Sequence, residues 1–170
     1  MKHIYKNIWT IPLLVVFQIF ILNNINFLGY ANPYLYLIPI ITLPYDTPKW
    51  ILMIVSIYTG ILLDLDPINF RLGMHSSILI FIAFIKPTLQ KLILNKKTIE
   101  ERYPLNLKKI GYKNFSLLAI SIILIHNSLI FMMEYFVFFN FYILFLKVII
   151  SSLITYIVIL ITQLITLKNK

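Results

Sequence analysis

The residues Gly60-Ile61-Leu62-Leu63-Asp64-Leu65-Asp66-Pro67-Ile68-Asn69-Phe70-Arg71-Leu72-Gly73-Met74-His75 place four ionisable side chains between two long apolar runs. Asp64, Asp66, Arg71 and His75 could do one of three things there. Hydrated at an interface, they simply stop two helices at little cost. Joined together, they form a network in which the planar fork of Arg71 bonds a carboxylate and locks a short hairpin. Gly60 and Gly73 would then serve close approach or a tight turn. As paired carboxylates, Asp64 and Asp66 could serve an intramembrane enzyme, but carboxylates alone define no chemistry. The chain holds six acidic residues in all, so two in one cluster make it the first candidate for function.

A second constellation runs from His126-Asn127-Ser128 to Met132-Met133-Glu134. Asn127 and Glu134 are seven apart and share a helix face. With a turn at Asn140, Glu134 and Lys147 fall at nearly one depth on antiparallel helices, about 9 Å inside the end. Unpaired charges there cost about 3 kcal/mol each. Glu134 and Lys147 are therefore expected to pair with each other or with a partner protein, unless Lys147 snorkels to the surface. His126 reads as a hydrogen-bonded packing residue rather than a proton carrier.

Other chemistries find no support in the pattern. There is no Walker loop, nucleophile elbow, zincin motif or glycine-rich nucleotide fingerprint. The histidines at 3, 75 and 126 lack metal-ligand spacing, and the absence of cysteine removes thiolate sites. No catalytic residue, cofactor or metal is expected, and no small-molecule substrate.

The elements that must carry these groups are set by composition. Hydrophobic residues make up 60% and charged ones 12%, with mean hydropathy +0.88; a soluble domain carries about 25% charged residues. The chain reads as an all-α integral membrane protein, a single transmembrane domain forming a compact bundle of about six helices. The expected spans are 8–24, 33–44, 49–65, 72–94, 114–138 and 141–167, with five full spans as the alternative. The second is short or re-entrant: ten or eleven helical residues reach only about 16 Å, and Pro33, Pro39, Pro44 and Pro48 punctuate it. A retained first helix is preferred to a signal peptide cleaved near Gly29-Tyr30-Ala31. Trp9, Tyr34, Tyr36, Trp50 and Tyr112 read as interfacial anchors, and Lys86-Pro87 as a stop to the fourth span.

The net charge of +9 gathers beside membrane segments, most of all in the basic loop 94–114. That loop is expected to be cytoplasmic, with both termini on its side, and Asp64–Gly73 on the other. The charge attracts membrane lipids; nucleic-acid binding is not expected, because no basic groove with interleaved aromatics is visible.

In this order, the Tyr34-Leu35-Tyr36-Leu37-Ile38-Pro39 segment, Gly60-Ile61-Leu62-Leu63-Asp64, Leu72-Gly73-Met74-His75-Ser76, Lys86-Pro87 and the His126-Asn127…Phe131…Glu134-Tyr135-Phe136 stretch resemble the MreD family of rod-shape-determining membrane proteins. The chain departs from that pattern at Lys86, where arginine is expected, and at Asn127, where a second histidine is common. The resemblance implies a non-enzymatic protein of the bacterial inner membrane that works with MreC, MreB, RodA and a penicillin-binding transpeptidase in cell shape and lateral peptidoglycan synthesis. The alternative reading is the substrate-binding membrane subunit of a vitamin or metal-ion uptake transporter. The spaced alanines that such subunits use for helix contact are missing, since Ala31, Ala83 and Ala119 have no such spacing.

Overall fold

The computed structural model describes residues 2–24, 32–67, 71–96, 104–134 and 141–168. The cleavage-like Gly29–Ala31 tripeptide, the turn at Asn140 and the middle of the basic loop lie outside them. Among the described residues the structure is all-helical: α1 (Lys2–Phe20), a single 3-10 turn, α2 (Leu37–Thr42), α3 (Lys49–Asp64), α4 (Met74–Ile93), α5 (Leu107–Glu134) and α6 (Phe141–Lys168). α4, α5 and Phe141–Thr166 of α6 are long and apolar enough to cross a membrane.

Apart from the short α2, the helices bury one stripe and turn an apolar face outward. On α3 the buried residues are Leu52, Val55, Ser56, Thr59, Gly60, Leu63 and Asp64, spaced three and four apart as a 3.6-residue period requires. Trp50, Ile54, Ile57 and Ile61 point away from the bundle. Such a surface is tolerable in hydrocarbon and unusual in water. α3 and α4 form the most intimate pair, antiparallel, with Gly60 pressed on Ser76. A Cβ at Gly60 would lie 2.3 Å from the Ser76 Cα, so the helix backbones touch there.

The chain between α1 and α3 is the unusual part. The expected second span is helical only over Leu37–Thr42, six residues that are buried on nearly every side. Residues 32–34 before it are not helical, and backbone polar groups at such depth need partners. They find them in side chains. Asn32 N donates to Ser151 Oγ (3.3 Å), Tyr34 N to Thr155 Oγ1 (3.2 Å) and Leu35 N to Gln18 Oε1 (3.0 Å). Gln18 Nε2 in turn donates to Pro33 O at 2.8 Å. At the far end Lys86 Nζ donates to Leu43 O at 2.7 Å, and Leu105 N to Thr42 O at 2.9 Å.

Three expectations are corrected here. Tyr34 and Tyr36 are buried against the bundle centre rather than anchored at an interface, whereas Trp50 and Tyr112 are exposed. Lys86-Pro87 does not stop a helix: α4 continues through Pro87 to Ile93, and Lys86 is wholly buried where it caps the end of α2. The fifth helix starts at Leu107, earlier than 114, and bends at Gly111, whose φ of 77° only glycine adopts readily.

Candidate functional site: a buried polar network

Asp64 closes α3, and the first turn of α4 is built around its carboxylate. Gly73 takes a left-handed conformation (φ 82°) that swings the chain back over Asp64. Asp64 Oδ2 then accepts from Gly73 N (3.1 Å), Ser76 N (3.2 Å) and Ser76 Oγ (2.7 Å). Its Oδ1 accepts from His75 N at 2.8 Å and lies 3.0 Å from His75 Nδ1. A carboxylate only accepts, so Nδ1 carries a proton in this arrangement. The orphan N–H groups of a helix start are thus satisfied by a residue from the preceding helix, and the negative charge sits at the favourable end of the α4 dipole.

Asp66 extends this end of the bundle to α1. Its Oδ2 accepts from Asn23 Nδ2 at 3.0 Å, and Asn23 Oδ1 accepts from Gln18 Nε2 at 2.9 Å. Gln18 is therefore a clamp: both amide protons and the carbonyl are committed to Asn23 and the 32–35 backbone.

Arg71 does not bond Asp64 or lock the hairpin from within. It pairs with Glu134 at the end of α5 and meets Met74 Sδ at 3.9 Å. The ion-pair partner of Glu134 found here is thus Arg71, where Lys147 or a partner protein was expected. The physical reason is that Glu134 ends its helix beside the α3–α4 turn, within reach of a long side chain from that turn. Lys147 is half-buried on α6. Arg71, Gly73, Met74, Met133 and Glu134 line an open cavity of about 510 Å³.

Deeper in the bundle a second chain of polar groups ties α2, α5 and α6. Tyr36 Oη lies 2.8 Å from His126 Nε2, His126 Nδ1 lies 3.0 Å from Asn127 Oδ1, and Asn127 Nδ2 donates to Ser152 Oγ at 2.9 Å. With the Asn127 amide protons turned to Ser152, its oxygen faces the imidazole, so His126 carries its proton on Nδ1 and accepts from Tyr36 at Nε2. Tyr34, Tyr36, His75 and His126 stack edge to face around this chain, with ring centres 5.0–6.2 Å apart. Tyr36 links the two constellations, since its ring touches both His75 and His126.

The site thus brings Asp64, Asp66, Gly73 and His75 to one end, joins Arg71 to Glu134 there, and buries His126 beneath them. Gln18, Tyr36, Ser151, Ser152 and Thr155 were not foreseen. Their signal was a lone amide in the first apolar run and a Ser-Ser-x-x-Thr stripe in the last. Among the described residues no group of three or more His, Cys, Asp or Glu side chains could hold a metal ion.

Compared with models of known protein families, with curated proteins and with solved structures, the chain matches none.

Proposed function

We propose that this chain is a non-enzymatic scaffold of the MreD kind, seated in the bacterial inner membrane, where it organises partners of the cell-elongation complex through helix faces and short loops. The observation that carries the reading is the use to which the resembling residues are put. Gly60, Asp64, Gly73, His75, Ser76, His126 and Asn127 hold elements together. The oxygens of Asp64 accept four certain hydrogen bonds and face a fifth donor, which saturates a carboxylate and leaves nothing for acid-base work. What remains for recognition is a set of apolar helix faces and the charged outer rim.

The same contacts support six crossings as part of this reading. Asn23–Asp66 and Arg71–Glu134 gather the ends of α1, α3 and α5 and the start of α4 at one end. Tyr36 lies by His75, whereas Leu43 meets Lys86, eleven residues and about 16 Å farther along α4. The chain 32–43 therefore returns toward the opposite end, where the exposed lysines 91, 96, 108, 109 and 113 sit. That end faces the cytoplasm by the positive-inside rule, and both termini belong with it. MreC, RodA and a transpeptidase would meet the helix faces and outer rim, and MreB or anionic lipid the basic loop.

Deleting the gene in a rod-shaped host that carries it is expected to give round cells, rescued by the wild-type chain. Unchanged rods with normal lateral wall insertion would reject the scaffold. The cavity at Arg71 and Glu134 favours one second reading, a small-molecule-binding transporter subunit. Purified protein that retains a vitamin would install it.

A further inference from the structure

α5 and α6 do not close completely on each other. Between them lies a slot of about 220 Å³, walled by Ile120, Leu124, Ile149 and Leu153, with Ser152 and Tyr156 among its lining. Leu153 and Leu124 are 57% and 39% exposed, so the slot opens on the outer surface of the bundle. The Ser152 oxygen already accepts from Asn127. A helix about 10 Å across cannot enter a space of this size; a single hydrocarbon chain can.

One end of the slot is polar in a directed way. Ser116 Oγ and Tyr156 Oη are 2.7 Å apart, and Tyr156 Oη donates to Tyr112 Oη at 3.3 Å. Since Tyr156 spends its proton on Tyr112, Ser116 is the donor to Tyr156. The three hydroxyls form a relay that ends on the O–H of Tyr112, a residue 61% exposed and so open to an acceptor outside the chain. Tyr112, Ser116, Ile120 and Leu124 follow one another at four-residue steps down one face of α5. Tyr112 therefore lies about 12 Å from the level of Ile120, beside the exposed Lys113. Apolar slot, hydroxyl donor and cation stand in the order of tail, linkage and phosphate in an amphiphile.

We infer that the α5–α6 slot is a binding site for an anionic phospholipid, with one acyl chain between Ile120 and Leu153 and the phosphate against Tyr112 and Lys113. The site requires only that the chain lies in a bilayer, and it stands whether or not the protein scaffolds wall synthesis.

The test is native mass spectrometry of the full purified chain after exchange into equal amounts of phosphatidylglycerol and phosphatidylcholine. Wild type is expected to retain one phosphatidylglycerol in preference to phosphatidylcholine. Tyr112→Phe is expected to lower retention of both lipids about tenfold, since both carry the phosphate that its hydroxyl meets, and Lys113→Gln to lower the preference for phosphatidylglycerol about tenfold, the worth of one charge-assisted contact. Leu153→Trp, which fills the slot, is expected to abolish retention of either lipid. Leu92→Trp, at an exposed site on α4, is the control and leaves retention unchanged. Equal retention of the two lipids by wild type, undiminished retention in Tyr112→Phe, or an undiminished preference in Lys113→Gln overturns the proposal. So does a second polypeptide that leaves with Leu153→Trp while lipid retention stays as it was. Tyr112→Phe keeps every apolar contact, so it decides the matter even where the tryptophan variant does not fold.

Discussion

Replacing Asp64 tests whether the α3–α4 hairpin is held by a borrowed cap. Alanine removes the acceptor of three backbone N–H groups, one imidazole N–H and one hydroxyl. Loss of a helix cap costs about 0.5–2 kcal/mol, and each buried donor left without a partner about 1–3 kcal/mol. Water entering from the open end of the bundle recovers part of this, so Asp64→Ala is expected to cost about 4 kcal/mol. Asparagine should cost much less. With its oxygen at the Oδ2 position it still accepts from Gly73 and Ser76 N–H. Its amide, at the Oδ1 position, then meets His75 Nδ1, which can shed its proton to the other ring nitrogen, while Ser76 Oγ still donates to the oxygen. Only the His75 N–H and the charge are lost, a cost of about 1–2 kcal/mol. At about 2–4 °C per kcal/mol for a chain of this length, thermal unfolding in detergent should fall by about 8–16 °C for alanine and about 2–8 °C for asparagine. Equal losses for the two variants, or an alanine variant within about 0.5 kcal/mol of wild type, would refute the cap.

Four further outcomes are expected. Gly60→Ala should cost about 3 kcal/mol, because the new Cβ meets the Ser76 backbone at 2.3 Å, while Gly73→Ala, with nothing within 4 Å, should cost only the left-handed strain of about 1–2 kcal/mol; denaturation that ranks them the other way contradicts the packing. Gln90→Leu should be neutral or stabilising by about 1 kcal/mol, since both amide atoms are buried without a partner; a large loss of stability would show a missing bond. Arg71→Glu and Glu134→Arg should each weaken the outer rim and recover together, with a coupling below about 1 kcal/mol because Arg71 is 40% exposed; a double-mutant cycle measures it. In this cysteine-free chain, Leu72→Cys should react with a membrane-impermeant thiol reagent in intact cells and Lys96→Cys only after lysis, and the reverse pattern would invert the topology.

How much of this was legible depended on whether a residue's partner lay nearby in sequence. The Gly60–His75 cluster could be recognised because its members sit on two adjoining helix ends, and the same proximity makes Asp64 the cap of α4. The wrong bonds were assigned where a partner comes from a distant element. Glu134 was matched to Lys147 by counting from one turn, but the bundle brings Arg71 from another turn. Lys86 looked like an interfacial stop because a lysine in an apolar run usually snorkels. Its burial follows from the open carbonyl at the end of α2, a need that exists only once that short helix is in place.

The backbone partners of 32–43 are likewise distant in sequence. Only Leu37–Thr42 is helical there, about 9 Å of rise, and residues 32–34 before it are not helical. Backbone outside a helix is affordable in the bundle interior only if its N–H groups are met. Gln18, Ser151 and Thr155 meet three of them from 17 to 121 residues away. The polar residues scattered through the first and last apolar runs thus pair the backbone of 32–35. Asn32–Leu43, held on every side by long-range hydrogen bonds, is the element on which the arrangement of the charged rim depends. A substitution at Gln18 that leaves Pro33 and Leu35 unpaired should disturb the Asn23–Asp66 contact, whereas one at Leu13, 72% exposed on the outer face of the same helix, should not.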